Sequence, residues 1–471
     1  MFASRTINNW KDLPSSLPRP SSFGPPPAHN VCPHASRLRS ADRQPEVPHS
    51  RFLNSPYPVK IPCPASAVCL QAMNLATALL KPGEADRPAA GHPWIFSNSI
   101  LRLTGDVADG DVVQVKDHRQ RFLGVGFYNS KSKIAIRLLS SDRVSIDRAF
   151  FEQRLRAALA VRQKHLPEST SFRLVNGESD FLSGLIVDRY DDILVLQTSS
   201  LGMDRRKAEI VSVLRDVLNP RVILERNDQA ARKFENLPVT NEVLFGDAPS
   251  ALTVQLNGLV FDVDLQAGHK TGLYLDQVAN WQSVARAARD GVVLDCFSFV
   301  GGFALHAARA GARSVLGLDQ SADAVAAATR NAAVNGVAEH CKFEAANVFD
   351  WLKVRSMTGP HEKLVPQFDL IILDPPSFTR TRAAVPDAVR GYKEIHLRAL
   401  KLLKPGGTLA TFCCSHHVGA ELFQEVILDA AFDARRMLRR VATYSQALDH
   451  PVIPAIPETE YLKGFAFEAV R

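Results

Sequence analysis

The residues best equipped for chemistry lie in the C-terminal half of the chain. Cys414 closes an apolar run over residues 408–413, and a thiol there can act as nucleophile and as leaving group. Methylating carbon 5 of a pyrimidine needs both properties. A thiolate adding at carbon 6 makes carbon 5 enamine-like and able to take a methyl group. A base then removes the carbon 5 proton and the cysteine departs. The competing reading is a small buried cysteine in a core strand. Strand alternation turns Cys413 away from Cys414, which leaves Cys414 at the strand end opposite Asp374.

Asp374 opens the segment Asp374-Pro375-Pro376-Ser377-Phe378, directly after the apolar run 368–373. The two prolines stiffen the turn and carry no backbone N–H, so Asp374 is held at a strand end, where open α/β sheets place their ligands. Phe378 has the type to stack on a base taken out of its helix or loop. A third group is Gly301-Gly302 with Asp319. The glycines let a ligand approach the backbone at a helix N-terminus, and the acid can accept both hydroxyls of a ribose. The dinucleotide pattern G-x-G-x-x-G is absent, so a nucleoside without phosphate, such as S-adenosylmethionine, fits better than a dinucleotide. Gly268-His269-Lys270-Thr271-Gly272 lacks phosphate-loop spacing, which argues against an NTPase. His416 and His417 are adjacent, rarely a geometry for one ion, and no second ligand cluster accompanies them; no metal is expected.

The elements that must hold these residues read as alternating strands and helices. Residues 292–294 form an apolar run that breaks at Gly301-Gly302, a helical pattern spans 303–310, and a second run over 314–318 ends on Asp319. A helix over 322–335, a strand over 342–345, a strand over 368–373, a helix over 389–403 stopping at Pro405-Gly406-Gly407 and a strand over 408–413 continue the pattern. In front lie a hairpin over 252–256 and 259–265 joined at Asn257-Gly258, and a helix over 276–288. The fold class is therefore α/β, with a Rossmann-like domain over residues 250–471.

Two smaller domains precede it. Residues 73–142 read as short strands between Gly/Asp turns, a small β-barrel. Lys81, Arg87, His92, Lys131 and Lys133 could give that barrel a phosphate-facing edge, or simply a solvated rim. Residues 146–247 read as an α+β middle domain: a helix over 147–164, strands over 172–175, 184–190 and 193–198, a helix over 205–218 and a strand over 222–226.

Composition bounds the partners. The chain has 471 residues and a formal charge of +7, but residues 1–72 hold eight Lys/Arg against three Asp/Glu, which leaves only +2 for the rest. Basicity is thus no argument for nucleic-acid binding by the folded part. That leader holds 13 of the 29 prolines and reads as unfolded, either as a transit peptide or as an over-long start ahead of Met73. Of the seven cysteines, the four beyond the leader show neither disulfide nor metal spacing, which suits a reducing, cytoplasmic compartment. No apolar run is long enough to span a bilayer, so no membrane association is expected.

With these residues in hand, residues 75–471 resemble the bacterial large-subunit ribosomal RNA cytosine-5 methyltransferases, built from a PUA domain, a middle domain and a Rossmann-like methyltransferase domain. The resemblance rests on His92-Pro93-Trp94-Ile95-Phe96-Ser97, Gly177-Glu178-Ser179-Asp180, residues 268–277, Cys296-Phe297-Ser298, Asp374-Pro375-Pro376-Ser377-Phe378, Arg390-Gly391-Tyr392-Lys393 and residues 449–465. It implies S-adenosylmethionine as methyl donor and ribosomal RNA as partner, with Cys414 as the catalytic cysteine and Asp374 holding the flipped cytosine. It further implies that Gly301, Gly302 and Asp319 bind the donor beside Phe297, and that Lys270, Thr271, Asp276 and Gln277 belong to the segment closing over it. Asn347 stands where the family usually has an Asp near the adenine, and Cys413 replaces a usual serine. Ser377 and Phe378 agree with the family's lack of a second cysteine after the Pro-Pro element. The sequence leaves the oligomeric state open, a homodimer among the alternatives. The rival readings are methylation of an exocyclic base nitrogen, which needs no thiol, an RNA-binding assembly factor that only holds the donor, and, more distantly, a dehydrogenase.

Overall fold

A computed structural model of the chain describes residues 75–227, 230–249, 252–263, 272–357, 364–379 and 381–470. The leader, Met73, Lys270 and Thr271 lie outside the described residues, as does the end of the hairpin strand expected to run to Leu265.

The first described strands form one six-stranded mixed sheet, in the order Trp94–Ile95, Ile136–Ser140, Phe122–Tyr128, Val112–Lys116, Thr77–Leu80, Ile100–Thr104. Alternation does the work within it: Val113 and Val115 are buried between partly exposed Val112, Gln114 and Lys116, and they meet Ala78, Leu80, Ile95 and Ile136 in one core. A second, five-stranded sheet runs Val243–Phe245, Val222–Glu225, Ile193–Thr198, Leu185–Tyr190, Ser171–Asn176. The helices Arg148–His165 and Lys207–Leu218 pack with it, the first capped by Asp147, which accepts from the Phe150 amide at 3.1 Å. The helix expected over 205–218 is two: Leu201–Arg205 ends at Arg206, whose guanidinium lies 4.3 Å from the Phe127 ring of the first sheet, and a new helix begins at Lys207.

The hairpin Leu252–Leu256/Leu259–Val263 turns on Asn257 and Gly258, both left-handed (φ 52° and 77°), the conformation a two-residue hairpin turn requires. Instead of one helix over 276–288, a 3-10 turn (Leu275–Gln277) leads into the helix Val278–Ala285.

The third sheet positions the site. Its elements in chain order are β1 (Val292–Cys296), α1 (Gly302–Arg309), β2 (Ser314–Asp319), α2 (Ala322–Val334), β3 (Cys341–Ala345), α3 (Val348–Ser356), β4 (Phe368–Leu373), α4 (Val385–Leu402), β5 (Leu403–Cys413), α5 (Ala420–Asp433), β6 (Leu438–Tyr444) and β7 (Lys463–Ala469). The order across the sheet is β3-β2-β1-β4-β5-β7-β6, with the first five parallel and β7 antiparallel to both neighbours. In β4, Leu370 to Leu373 are wholly buried, because helices cover both faces of a parallel sheet. The order reverses between β1 and β4, so a crevice opens beyond their carboxyl ends.

Two further departures from the sequence reading, in the third sheet, have a local cause. Helix α4 begins at Val385, since Pro386 sits in its first turn, where a missing N–H costs nothing. The Pro405-Gly406-Gly407 segment is a bulge within β5: Leu403 pairs with Phe368 but the next ladder pair is Thr408 with Leu370, which leaves extra residues on β5.

Candidate active site

Four parallel strands end at one edge of the third sheet, and their last residues or the next ones are Cys296, Asp319, Asp374 and Cys414. Because β1, β2, β4 and β5 are parallel, acids and thiol that are far apart in sequence reach one side.

The loop between β1 and α1 has three left-handed residues in five: Phe297 (φ 67°), Phe299 (φ 47°) and Gly301 (φ 90°). A phenylalanine pays a steric cost there, and such strain gathers where a backbone is bent to meet a ligand. Asp319 holds the loop, Oδ2 accepting from the Phe299 amide and Oδ1 from the Ser321 amide, each at 2.9 Å. A side chain at Gly301 would come within 3.0 Å of the Phe343 ring. Gly302 starts α1, whose first turn is pinned by Asp295: Oδ2 accepts from the Ala304 amide at 3.0 Å. Asp295 is fully buried, and burial, then Asp374 and Asp319 nearby, push its carboxyl well above the usual carboxylate range. Among the described residues, Asp295 Oδ1 and the Ser298 hydroxyl are buried without a hydrogen-bond partner. An acid directly after the apolar run 292–294, still within β1, is a visible signal that the sequence reading does not use.

Tyr274 links the site's charged groups. Burial pushes its phenol up, and Asp374, Asp276, the Cys414 thiol and Asp319 push it further. Its ring meets Phe299 edge-on at 5.1 Å. Four of the expected residues therefore share one neighbourhood. Asp276 and Gln277 are buried and engaged in the fold: Asp276 Oδ2 accepts from the Tyr461 hydroxyl at 2.7 Å, and Gln277 Oε1 from Asn280 Nδ2 at 2.6 Å. Asn347 is exposed and caps α3 through Oδ1, which accepts from the amides of Phe349 and Asp350. Phe297 lies edge-on to Phe349 at 6.5 Å.

The two cysteines face opposite ways. Cys413 is fully buried, its Sγ donating to the Tyr392 hydroxyl at 3.3 Å, whereas Cys414 is partly exposed. Lys463, at the start of β7, donates from Nζ to the Ser415 carbonyl at 2.9 Å. Phe378 is partly buried, its ring packing on Tyr392 at 4.5 Å and on Phe349 at 5.6 Å. His416 and His417 are exposed, and among the described residues no three His, Cys, Asp or Glu are grouped to hold a metal. No helix among the described residues is long and apolar enough to cross a membrane.

The donor set fits a nucleoside with an amino-acid tail: a carboxylate at the end of β2, a loop bent toward the crevice, and two buried polar atoms still lacking partners. Comparison with known proteins agrees. A family model for PUA-like domains matches residues 79–141, and one for S-adenosylmethionine-dependent methyltransferases matches residues 233–452. The ribosomal RNA large subunit methyltransferase I of Shewanella amazonensis is 41% identical over 390 residues, which is 82% of this chain and 97% of that protein. Its counterpart in Klebsiella pneumoniae is 40% identical over 381 residues, 80% of this chain and 94% of that one. A solved Streptococcus mutans chain, assigned to the SAM-dependent methyltransferases, shares the fold with a TM-score of 0.71 at 22% identity, over 83% of this chain and all of that one.

Proposed function

Because the chain belongs to the ribosomal RNA large subunit methyltransferase I family, we propose that it methylates carbon 5 of a cytosine in large-subunit ribosomal RNA, through a covalent adduct with Cys414. It is a SAM-dependent ribosomal RNA methyltransferase, and the proposal concerns the atom methylated and the residues that act. One observation carries it: Asp374 and Cys414 follow neighbouring parallel strands, with Cys414, not Cys413, on the accessible side.

S-adenosylmethionine supplies an electrophilic methyl group carried on a sulfonium. Asp319, Asn347 and the 297–301 loop would hold its nucleoside, with Asp295 and Ser298 beside them to take up its polar groups. Lys270 and Thr271 are proposed to belong to the segment that closes over it, with Asp276 and Gln277 as its buried anchor. Asp374 accepts a hydrogen bond from the exocyclic amine of the cytosine, the contact a carboxylate makes to that base. The Cys414 thiolate adds to carbon 6, forming a carbon–sulfur bond and placing the electron pair on carbon 5 for methyl transfer. Loss of the carbon 5 proton to a base then restores the double bond and expels Cys414 as thiolate. The sheet over residues 73–142 is proposed as the module that docks the RNA, the 146–247 sheet as the spacer, and a cytoplasmic homodimer as the working form, which light scattering would test.

Incubation of the protein with S-adenosylmethionine and unmodified large-subunit RNA, followed by nucleoside mass spectrometry, tests the reading. It requires 5-methylcytidine from the unsubstituted enzyme and none from Cys414→Ala. Methylated guanosine or adenosine from both would transfer the chemistry to an exocyclic nitrogen and leave Cys414 a packing residue.

A further inference from the structure

Cys414 and Asp374 sit on separate loops, and a run of hydrogen bonds joins those loops just behind them. Cys413 Sγ lies 3.3 Å from the Tyr392 hydroxyl, Tyr392 lies 3.0 Å from the Ser415 hydroxyl, Ser415 lies 3.0 Å from the Ser377 hydroxyl, and Ser377 lies 2.8 Å from the Thr379 carbonyl. The direction of every proton follows from the last link. A carbonyl only accepts, so Ser377 gives its proton to Thr379; Ser415 then gives its own to Ser377, Tyr392 to Ser415, and Cys413 to Tyr392. Each donor is used once, and the links reinforce one another, most where the chain is buried and the dielectric low. Tyr392 and Ser415 are fully buried.

The neighbouring residues stiffen the same junction. Phe378 packs on the Tyr392 ring, with room made by Gly391, where an added side chain would come within 3.3 Å of Phe378. Lys463 fixes the Ser415 carbonyl from β7. Ser415 follows Cys414 directly and Ser377 lies three residues beyond Asp374 in a turn stiffened by two prolines.

We propose that the Ser377–Ser415–Tyr392 hydroxyl chain sets the separation between the Cys414 thiol and the base held by Asp374, which makes these three positioning residues for the nucleophilic attack. The inference rests on the cysteine-adduct reading above. A small misplacement at such a junction is costly: about 1 Å is worth on the order of 100-fold in rate.

The test uses the full chain, S-adenosylmethionine and large-subunit RNA carrying 5-fluorocytidine. Fluorine cannot leave as a proton, so the protein–RNA adduct persists and its rate of formation can be followed on denaturing gels. Ser377→Ala, at an exposed position that tolerates the change, and Tyr392→Phe should each form adduct about tenfold more slowly, with donor affinity by calorimetry unchanged. Ser377→Thr keeps the hydroxyl and should restore most of the rate. Adduct formation by Ser377→Ala at the unsubstituted rate overturns the inference alone. No adduct from the unsubstituted enzyme overturns the cysteine reading and the inference with it.

Discussion

Glu458 Oε2 lies 2.9 Å from His92 Nε2, and the Trp94 amide donates to Nδ1 of the same ring at 3.1 Å. Arg87 completes the clasp, donating to Glu458 Oε1 at 2.6 Å. Burial pushes the Glu458 carboxyl up, but the bonds from His92, its own backbone and Arg87 hold it below the usual carboxylate range. Glu458 belongs to the connection between β6 and β7, which also sends Tyr461 to Asp276. The proposed RNA-docking sheet is thereby tied to the catalytic crevice. Glu458→Ala should raise the KM for RNA about fivefold, on the scale of the ~1 kcal/mol that such a contact contributes, and leave donor affinity unchanged. An unchanged KM would mean that the clasp does not orient the docking sheet.

The same connection is anchored more deeply by Arg162. Its guanidinium is fully buried, pairs with both carboxylate oxygens of Asp180 and donates from Nη2 to the Asp449 carbonyl at 2.8 Å. Asp449 in turn accepts from the Arg173 amide through Oδ2 at 2.8 Å. Removing the cation alone strands a buried carboxylate, so Arg162→Leu should cost about 3–5 kcal/mol in urea unfolding. The Arg162→Leu/Asp180→Leu double variant should recover much of that loss, because no unpaired charge remains. A double variant as unstable as the single one would show that packing around Arg162, not its charge, matters.

These contacts also mark the limit of what the sequence made legible. The strand–helix alternation of the third sheet could be read residue by residue because its apolar runs are long and buried on both faces, as in β4. Asp319, Asp374 and Cys414 stand out because each ends such a run. Nothing local reveals that Gly391 and Tyr392, on α4, form the seat of Phe378. The bond that Gln277 accepts from Asn280, one helical turn away, is likewise absent from the sequence reading. The sheet order of the first two modules depends on pairings such as Thr77–Leu80 with both Val112–Lys116 and Ile100–Thr104, which no local pattern encodes.

Two buried histidines make stability depend on pH. In His306, Nδ1 donates to the Gly302 carbonyl at 2.7 Å and Nε2 accepts from Asn257 Nδ2 at 3.2 Å. In His396, Nδ1 donates to the Tyr392 carbonyl at 2.6 Å and Nε2 accepts from the Thr411 hydroxyl at 2.8 Å. Both rings are therefore neutral, and burial pushes each down to about 4. The unfolded chain binds these protons near the ordinary histidine value of about 6.5, before the folded chain does, so stability falls as pH drops from there toward 4. Up to about 3 kcal/mol per histidine is at stake. Calorimetry should show a lower Tm at pH 5 than at pH 7, and nitrogen-15 spectra should show both rings neutral at pH 5.5. Protonation of either ring near pH 6.5 would contradict this.

Thiol chemistry separates the cysteines without any RNA. Of the four cysteines among the described residues, Cys296, Cys341 and Cys413 are buried, while Cys414 is partly exposed. Burial pushes the Cys341 thiol up to about 12, and burial and then Asp295 push Cys296 up as well. Only a thiolate that a reagent can reach is alkylated, so iodoacetamide near neutral pH should modify Cys414 at least about tenfold faster than the other three. Peptide mapping by mass spectrometry gives the four rates from one sample. Cys413→Ser keeps a donor to Tyr392 and should leave both the Cys414 alkylation rate and 5-methylcytidine formation close to those of the unsubstituted enzyme. If Cys413 is alkylated first, or its serine variant loses methylation while still binding the donor, the nucleophile is Cys413 and the assignment of Cys414 falls.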